Sequence, residues 1–288
     1  MASSASIRET HMLSTRYRYA FLVMALAAAA ACSGYEGPVS PTPPVPPVPT
    51  VLLKDIEIPN LPSPFYHFEY DTDGRVTAAS FASGLRMYDV TYDRGRIKEM
   101  RNNVLVNHDE LIYAYDDAGR VSGVRYRDSN GETYALLVFS YEGQKLTGVE
   151  RDHRVDGGFI IDKTMSLAYD ADGNLFTLTE HRPAIDGEQT ETTTIDRFEL
   201  YDDKINVDGF SLIHDDFFDH FVLLPGVQLQ KGNPGRVTRT GDGLNFTVDY
   251  TYTYDDSNRP LTKIGQVRIA NGPDAGRVIQ TTSVFTYY

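Results

Sequence analysis

The chain has no tryptophan and a single cysteine in 288 residues. One cysteine excludes an internal disulfide, and it excludes the multi-thiolate sets on which structural zinc sites are built. Positive charge is also scarce. Lysine and arginine number 27 against 40 acidic residues, for a formal net charge of −13. A surface this acidic opposes nucleic acid and anionic lipid, so neither is expected as a partner, whereas neutral and cationic ligands are compatible with it. No glycine-rich phosphate loop, G-x-S-x-G elbow, H-E-x-x-H helix or cysteine nucleophile is present. The expectation is a protein without a cofactor and without catalysis.

The front of the chain is an export signal. Arg16 and Arg18 precede the apolar run Tyr19-Ala20-Phe21-Leu22-Val23-Met24-Ala25-Leu26, which passes into alanines and then Cys32-Ser33-Gly34. A charged segment, a short apolar core and small residues at the end read as a signal over residues 1–31. The run is about a dozen residues, short of the ~20 that cross a bilayer as a helix. Met12 is an equally good start. Ala29-Ala30-Ala31-Cys32 resembles the lipobox of bacterial lipoproteins, whose cysteine becomes the acylated N-terminus, although the family usually has leucine where Ala29 stands. Ordinary cleavage after Ala31 is the alternative. Between Pro38 and Pro49 lie seven of the 15 prolines. Residues 32–50 therefore read as a lipidated cysteine and a semi-rigid polyproline tether of roughly 50 Å, at ~3.1 Å per residue. The expected location is extracytoplasmic, anchored to the outer membrane.

Residues 51–288 carry a repeat, visible when the tyrosines are aligned. The copies are Phe68-Glu-Tyr70-Asp71-Thr-Asp73-Gly74-Arg75-Val76, Val90-Thr-Tyr92-Asp-Arg-Gly95-Arg96-Ile97, Tyr113-Ala-Tyr115-Asp116-Asp-Ala-Gly119-Arg120-Val121 and Phe139-Ser-Tyr141-Glu-Gly-Gln-Lys145-Leu146. Leu167-Ala-Tyr169-Asp170-Ala-Asp-Gly173-Asn-Leu175 and Tyr252-Thr-Tyr254-Asp255-Asp-Ser-Asn-Arg259-Pro-Leu261 follow, with a degenerate copy at Tyr201 and an open half-copy, Phe285-Thr-Tyr287-Tyr288, at the end. In a strand the residue two before the tyrosine shares its face. The aspartate caps a turn and the glycine takes the left-handed conformation that closes it. Each copy is therefore a β-hairpin, and hairpin after hairpin gives an antiparallel meander.

After each turn, apolar residues recur three apart: Ile97/Met100, Val121/Val124, Leu146/Val149, Leu175/Leu178 and Leu261/Ile264. A β-bulge would put both on one face and add twist, while a sheet buried on both faces is the rival explanation. The expected fold is mainly β, a strongly twisted, curved open sheet. Between about 208 and 226, Phe210, Ile213, Phe217, Phe221 and Leu224 follow the helical period, so one short helix is expected there, packed on the concave side.

The motif Y-D-x-x-G-R-Φ resembles the YD repeat of Rhs proteins, polymorphic toxins and teneurins. There, many copies wind into a closed shell around a cargo. This chain is shorter and more irregularly spaced, with too few strands expected to enclose anything. Lipobox, tether and drifting repeats together are similar to a family of Bacteroidota lipoproteins of unknown function with YD-like repeats. That resemblance implies an envelope location and β architecture and carries no catalytic residues.

The acidic turns offer two or three carboxylates each, against the six to eight oxygens that calcium takes, so turn capping accounts for them. His214 and His220 flank the insert, but six residues apart they point about 120° away from each other on a helix. The 19 tyrosines suit cross-strand packing, protein contact or sugar stacking. The expected function is a non-catalytic binding or structural module of the cell envelope, with an envelope protein or a glycan as partner; a glycan-binding accessory lipoprotein is the alternative, and an enzyme with an unrecognised carboxylate site stands behind it. Cys32→Ser tests the anchor: the variant is expected to leave the membrane fraction, and its retention there would refute lipidation.

Overall fold

The computed structural model describes residues 51–104, 108–213 and 222–288. The signal, Cys32 and the tether lie outside the described residues. Local structure begins at the motif turns. Asp116 Oδ1 accepts from the Arg120 backbone N–H at 2.9 Å, Asp116 Oδ2 accepts from Arg120 Nε at 2.7 Å, and Gly119 closes the turn at φ 82°. Asp71 and Arg75 repeat this arrangement with Gly74 at φ 76°, and Asp255 and Arg259 repeat it with Asn258 at φ 61°. A carboxylate that satisfies backbone donors and a residue that tolerates positive φ are what a tight turn needs.

These turns separate β1 (Leu53–Glu57), β2 (Tyr66–Tyr70), β3 (Val76–Phe81), β4 (Arg86–Asp93), β5 (Arg96–Asn102) and β6 (Glu110–Tyr115). Next come β7 (Val121–Arg127), β8 (Thr133–Glu142), β9 (Lys145–Val155), β10 (Gly158–Tyr169) and β11 (Leu175–Arg182). The rest are β12 (Thr192–Tyr201), β13 (Pro234–Gly241), β14 (Phe246–Tyr254), β15 (Pro260–Ile269) and β16 (Val278–Tyr287). Each strand pairs antiparallel with its neighbours in sequence, and β1 pairs with β16, so the sheet is a closed barrel.

Closure corrects the expected open sheet. The terminal half-copy is completed by the N-terminal strand, with Leu53 opposite Tyr287 and Ile56 opposite Phe285. Leu53 and Ile56 thus take the places that Val121 and Val124 hold in the Tyr115 copy. The expectation of too few strands failed because the last copy borrows its second strand from the other end of the chain.

Behind the repeat tyrosines the ladder slips by one residue. Tyr115 faces Val121 while Ala114 faces Gly123, so Ser122 is extra. The same shift occurs at Tyr70, Tyr92, Tyr141, Tyr169 and Tyr254. In the first four pairs, Ile97/Met100, Val121/Val124, Leu146/Val149 and Leu175/Leu178, the bulge turns both apolar residues inward and they are buried. In the late copy the inward pair is Pro260 and Lys263, not the expected Leu261 and Ile264; Leu261 is the bulged residue and is exposed. At the degenerate copy, Leu200 adopts φ 59° and turns to solvent at 68 % exposure, which lets Phe198 and Tyr201 share the inner face.

The hairpins are fastened to one another by the motif itself. Apart from Tyr254, each repeat tyrosine hydroxyl donates to a carbonyl at the start of the preceding second strand: Tyr92 to Val76 at 2.8 Å, Tyr115 to Ile97 at 2.7 Å, Tyr141 to Val121 at 2.8 Å, Tyr169 to Leu146 at 2.7 Å and Tyr201 to Leu175 at 2.6 Å. Tyr287 reaches Pro260 at 2.6 Å, and Tyr70 reaches Leu53 at 2.8 Å, which carries the series through the seam. The motif cation then covers the next tyrosine: Arg75 over Tyr92, Arg96 over Tyr115, Arg120 over Tyr141, Lys145 over Tyr169 and Arg259 over Tyr287, at 4.5–5.2 Å from the ring centroids. Such a bond is worth about 1 kcal/mol net and such a cation–π contact roughly 0.5–1 kcal/mol.

The described parts of the connection from β12 to β13, residues 202–213 and 222–233, turn into the lumen and form its plug. Phe210 packs edge-on against Tyr66 and Phe68 at 5.3 and 5.4 Å, Tyr113 Oη accepts from the Leu223 backbone N–H at 3.1 Å, and the Leu229 carbonyl accepts from Leu175 N at 2.9 Å. Val222 and Leu229 join the buried core. The expected α-helix is a second correction. Gly209–Ile213 is a 3-10 turn, residues 214–221, with His214 and His220, lie outside the described residues, and no α-helix occurs among the described residues. Phe210 and Leu224 are apolar because they pack against the barrel core, not because they line one stripe of a helix.

Burial raises the phenol pKa throughout the ladder, to about 12 for Tyr92 and Tyr169. The fold thus favours the neutral phenol, and this stabilisation is complete below the unfolded value near 10 and lost as pH rises through the folded one. Alkaline titration should show ladder phenolate appearing together with loss of the sheet's circular dichroism between about pH 10 and 12. Phenolate appearing near pH 10 with the sheet intact would contradict this.

Candidate functional site

The inward slots expose an asymmetry in the barrel. Three residues after the start of each second strand, the slot holds Ala79, Met100, Val124, Val149 and Leu178, all buried and apolar. In the β14–β15 hairpin the same slot holds Lys263, opposite Tyr252. Lys263 Nζ donates to Asp208 Oδ2 of the plug at 2.8 Å and lies 4.7 Å from the centroid of the Tyr250 ring. Burial works against the charge on Lys263, but Asp208 outweighs it and leaves the pKa above its ordinary value. Tyr250 is pushed up by burial and by the carboxylates of Asp208 and Asp196, against the pull of Lys263.

A second ion pair sits along the same wall. Arg239 Nε donates to Asp196 Oδ1 at 2.7 Å, and the guanidinium lies 5.3 Å from the Phe246 ring centroid. Between the two pairs, plug and wall frame a partly open cavity of about 180 Å³. Its plug side is held by a polar clasp. The Asp202 carboxylate accepts from the Asn233 backbone N–H at 2.8 Å and from the Tyr254 hydroxyl, and Gln230 Nε2 donates to Tyr201 Oη at 2.9 Å. Tyr254 is thereby diverted from the ladder, and Tyr252 takes its place by donating to the Pro234 carbonyl at 3.1 Å.

The residues singled out in the sequence lie elsewhere, at the turns of one rim. Tyr70, Tyr92, Tyr115, Tyr141 and Tyr169 are ladder donors; Asp71, Asp116, Asp170 and Asp255 cap turns; Gly74, Gly95, Gly119 and Gly173 hold positive φ. Backbone N–H groups and the arginine four residues on hold the Asp71 and Asp255 carboxyls below the ordinary range. At Asp116, burial works the other way and Arg120 outweighs it. Their lone pairs are spent on the turn. The histidines do not converge: His67 Nδ1 meets Asp55 at 2.6 Å, His153 Nδ1 lies 3.3 Å from Asp162, and His181 Nδ1 is 3.0 Å from Thr193 Oγ1.

Lys263, Asp208, Tyr250, Asp196 and Arg239 escaped the sequence reading. The available signal was a lysine where the aligned copies have a core residue, hidden because Leu261 and Ile264 imitate the three-residue spacing one position out of register.

Outward faces mix charged and apolar side chains. Arg101 bridges Glu99 of its own strand at 2.8 Å and Glu110 of β6 at 2.7 Å, and Arg236 of β13 bridges Asp249 of β14 at 2.6 Å. Apolar side chains such as Val138, Ile161 and Ile195 are interspersed among them.

No protein-family model and no curated protein matches the chain. Among solved structures, the fold is similar to a porin-like protein from Bacteroides uniformis, with a TM-score of 0.56 and 15 % identity over 85 % of this chain and 100 % of that one. It is similar as well to a porin-like protein from Bacteroides vulgatus, with a TM-score of 0.52 and 14 % identity over 82 % of this chain and 99 % of that one. At these identities the likeness is one of fold.

Lys263→Met should destabilise the barrel by about 3 kcal/mol in denaturant titration, because it strands the Asp208 carboxylate, whereas Lys263→Met with Asp208→Asn should recover more than half of that loss. Equal stability of the single and double variants would show that the pair is uncoupled.

Proposed function

We propose that the chain is a plugged, water-facing barrel, tethered to the outer membrane through acylated Cys32 and the proline stalk, that serves the cell envelope as a non-catalytic binding or structural module. The observation that carries this reading is the polarity of the wall. A membrane-spanning barrel presents an apolar band to lipid and a polar interior. Here Phe68, Met100, Val124, Phe139 and Leu146 fill the inside, while Asp89, Arg101, Arg125 and Asp249 stand on the outside. An arginine or lysine facing lipid at mid-bilayer costs roughly 2–4 kcal/mol. The plug adds a second argument, since Phe210, Leu223 and Leu229 occupy the lumen through which solute would pass.

Similarity to porin-like structures is read accordingly as shared barrel architecture without the pore. Partners of the reading are the membrane through the lipid, and an envelope protein or a glycan through the barrel; the acidic surface disfavours nucleic acid. An extended glycan stacked on the repeat tyrosines is disfavoured, because those rings lie under arginines and lysines and their hydroxyls are bonded to backbone. Reconstitution into planar bilayers tests the reading: no single-channel conductance is expected, and steady conductance steps from the purified chain would refute it.

A further inference from the structure

Resting on the binding-module reading, the cavity between plug and wall narrows the ligand class. Asp196, Asp208, Arg239, Phe246, Tyr250 and Lys263 line it, and about 180 Å³ admits a small ligand only. Both charged groups of the cavity wall are paired, Lys263 with Asp208, both largely buried, and the part-exposed Arg239 with the buried Asp196. A ligand with net charge would have to open one pair and leave the other partner buried and uncompensated, which is expensive. The pairs nonetheless have capacity left. An ammonium offers three donors and a carboxylate about four lone-pair positions, and one Lys263–Asp208 bond uses one of each. Tyr250 Oη donates to no described residue, although the ring is largely buried.

Such a lining asks for a compact neutral ligand whose groups both donate and accept. Hydroxyls on a saturated ring meet that requirement: they bridge the lysine donors and the aspartate lone pairs, and they need no stacking on Phe246 or Tyr250, whose rings already lie under Arg239 and Lys263. We propose that the cavity binds a neutral monosaccharide, with Lys263, Asp208 and Tyr250 as the polar contacts.

The test uses the full-length lipoprotein in detergent, probed by calorimetry and ligand-observed NMR with a panel of neutral hexoses and pentoses, hexuronic acids, glycine and serine. At least one neutral sugar is expected to bind, and the charged and zwitterionic members are not. Tyr250→Phe should weaken that sugar about 5–10-fold through loss of one hydrogen bond while leaving the melting temperature unchanged. Val237→Phe, which fills the cavity from β13, should abolish binding and covers the case in which Tyr250→Phe fails to fold. The proposal is overturned if no neutral sugar binds, if the amino acids or uronic acids bind instead, or if Val237→Phe binds sugar as well as the parent. A barrel that stays anchored and non-conducting while failing this panel loses the ligand assignment only.

Discussion

The hydrogen bond from one tyrosine of each copy, Tyr252 standing in for Tyr254 in the late one, to a carbonyl of the preceding hairpin is the constraint on which this barrel depends. A lone two-stranded hairpin is marginal in water. Here each is bonded to its neighbour twice, by the strand ladder and by a part-buried phenol, and the motif cation lies over the ring at Tyr92, Tyr115, Tyr141, Tyr169 and Tyr287. The bond runs from Tyr70 and Leu53 on one side of the seam to Tyr287 and Pro260 on the other. Because the donor of one copy needs the turn of the copy before it, neighbouring copies must keep the same register at the rim. The bulge serves the same end, since it sets Tyr115, Val121 and Val124 on one face.

Closure raises a problem that the plug resolves. A barrel of 16 strands is wide enough to leave an aqueous channel. With an apolar inner face, that channel would expose the very residues whose burial stabilises the fold. Residues 202–213 and 222–233 supply the missing core from the β12–β13 connection, and Val222 and Leu229 complete contacts that the wall cannot make across its own diameter. The plug brings polar groups with it. Asp208 and the Asp202–Asn233–Tyr254 clasp settle against β14 and β15, where Lys263 interrupts the apolar slots. The polar cavity is thus the place where the plug meets the wall.

Local rules were legible in the residues, and global ones were not. The turn at Asp116 and Gly119, the inward tyrosines and the bulge behind Val121 all follow from short-range chemistry repeated often enough to be recognised. Closure was hidden because it pairs Leu53 with Tyr287, a contact between chain ends that no periodicity encodes. The insert misled for a related reason. Phe210, Ile213 and Leu224 mimic a helical stripe, but their apolar character answers to the barrel core on which they pack. Lys263 was overlooked because Leu261 and Ile264 imitate the spacing of the other copies while both belong to other positions of the bulged strand.

Native-state hydrogen exchange at the seam tests closure most directly. With the barrel closed, amides bonded between β1 and β16 exchange as slowly as those between β8 and β9, and only through global unfolding. Rapid exchange along β1 and β16, with protection confined to the middle strands, would mean that the sheet has two free edges and that the ladder does not pass through the seam.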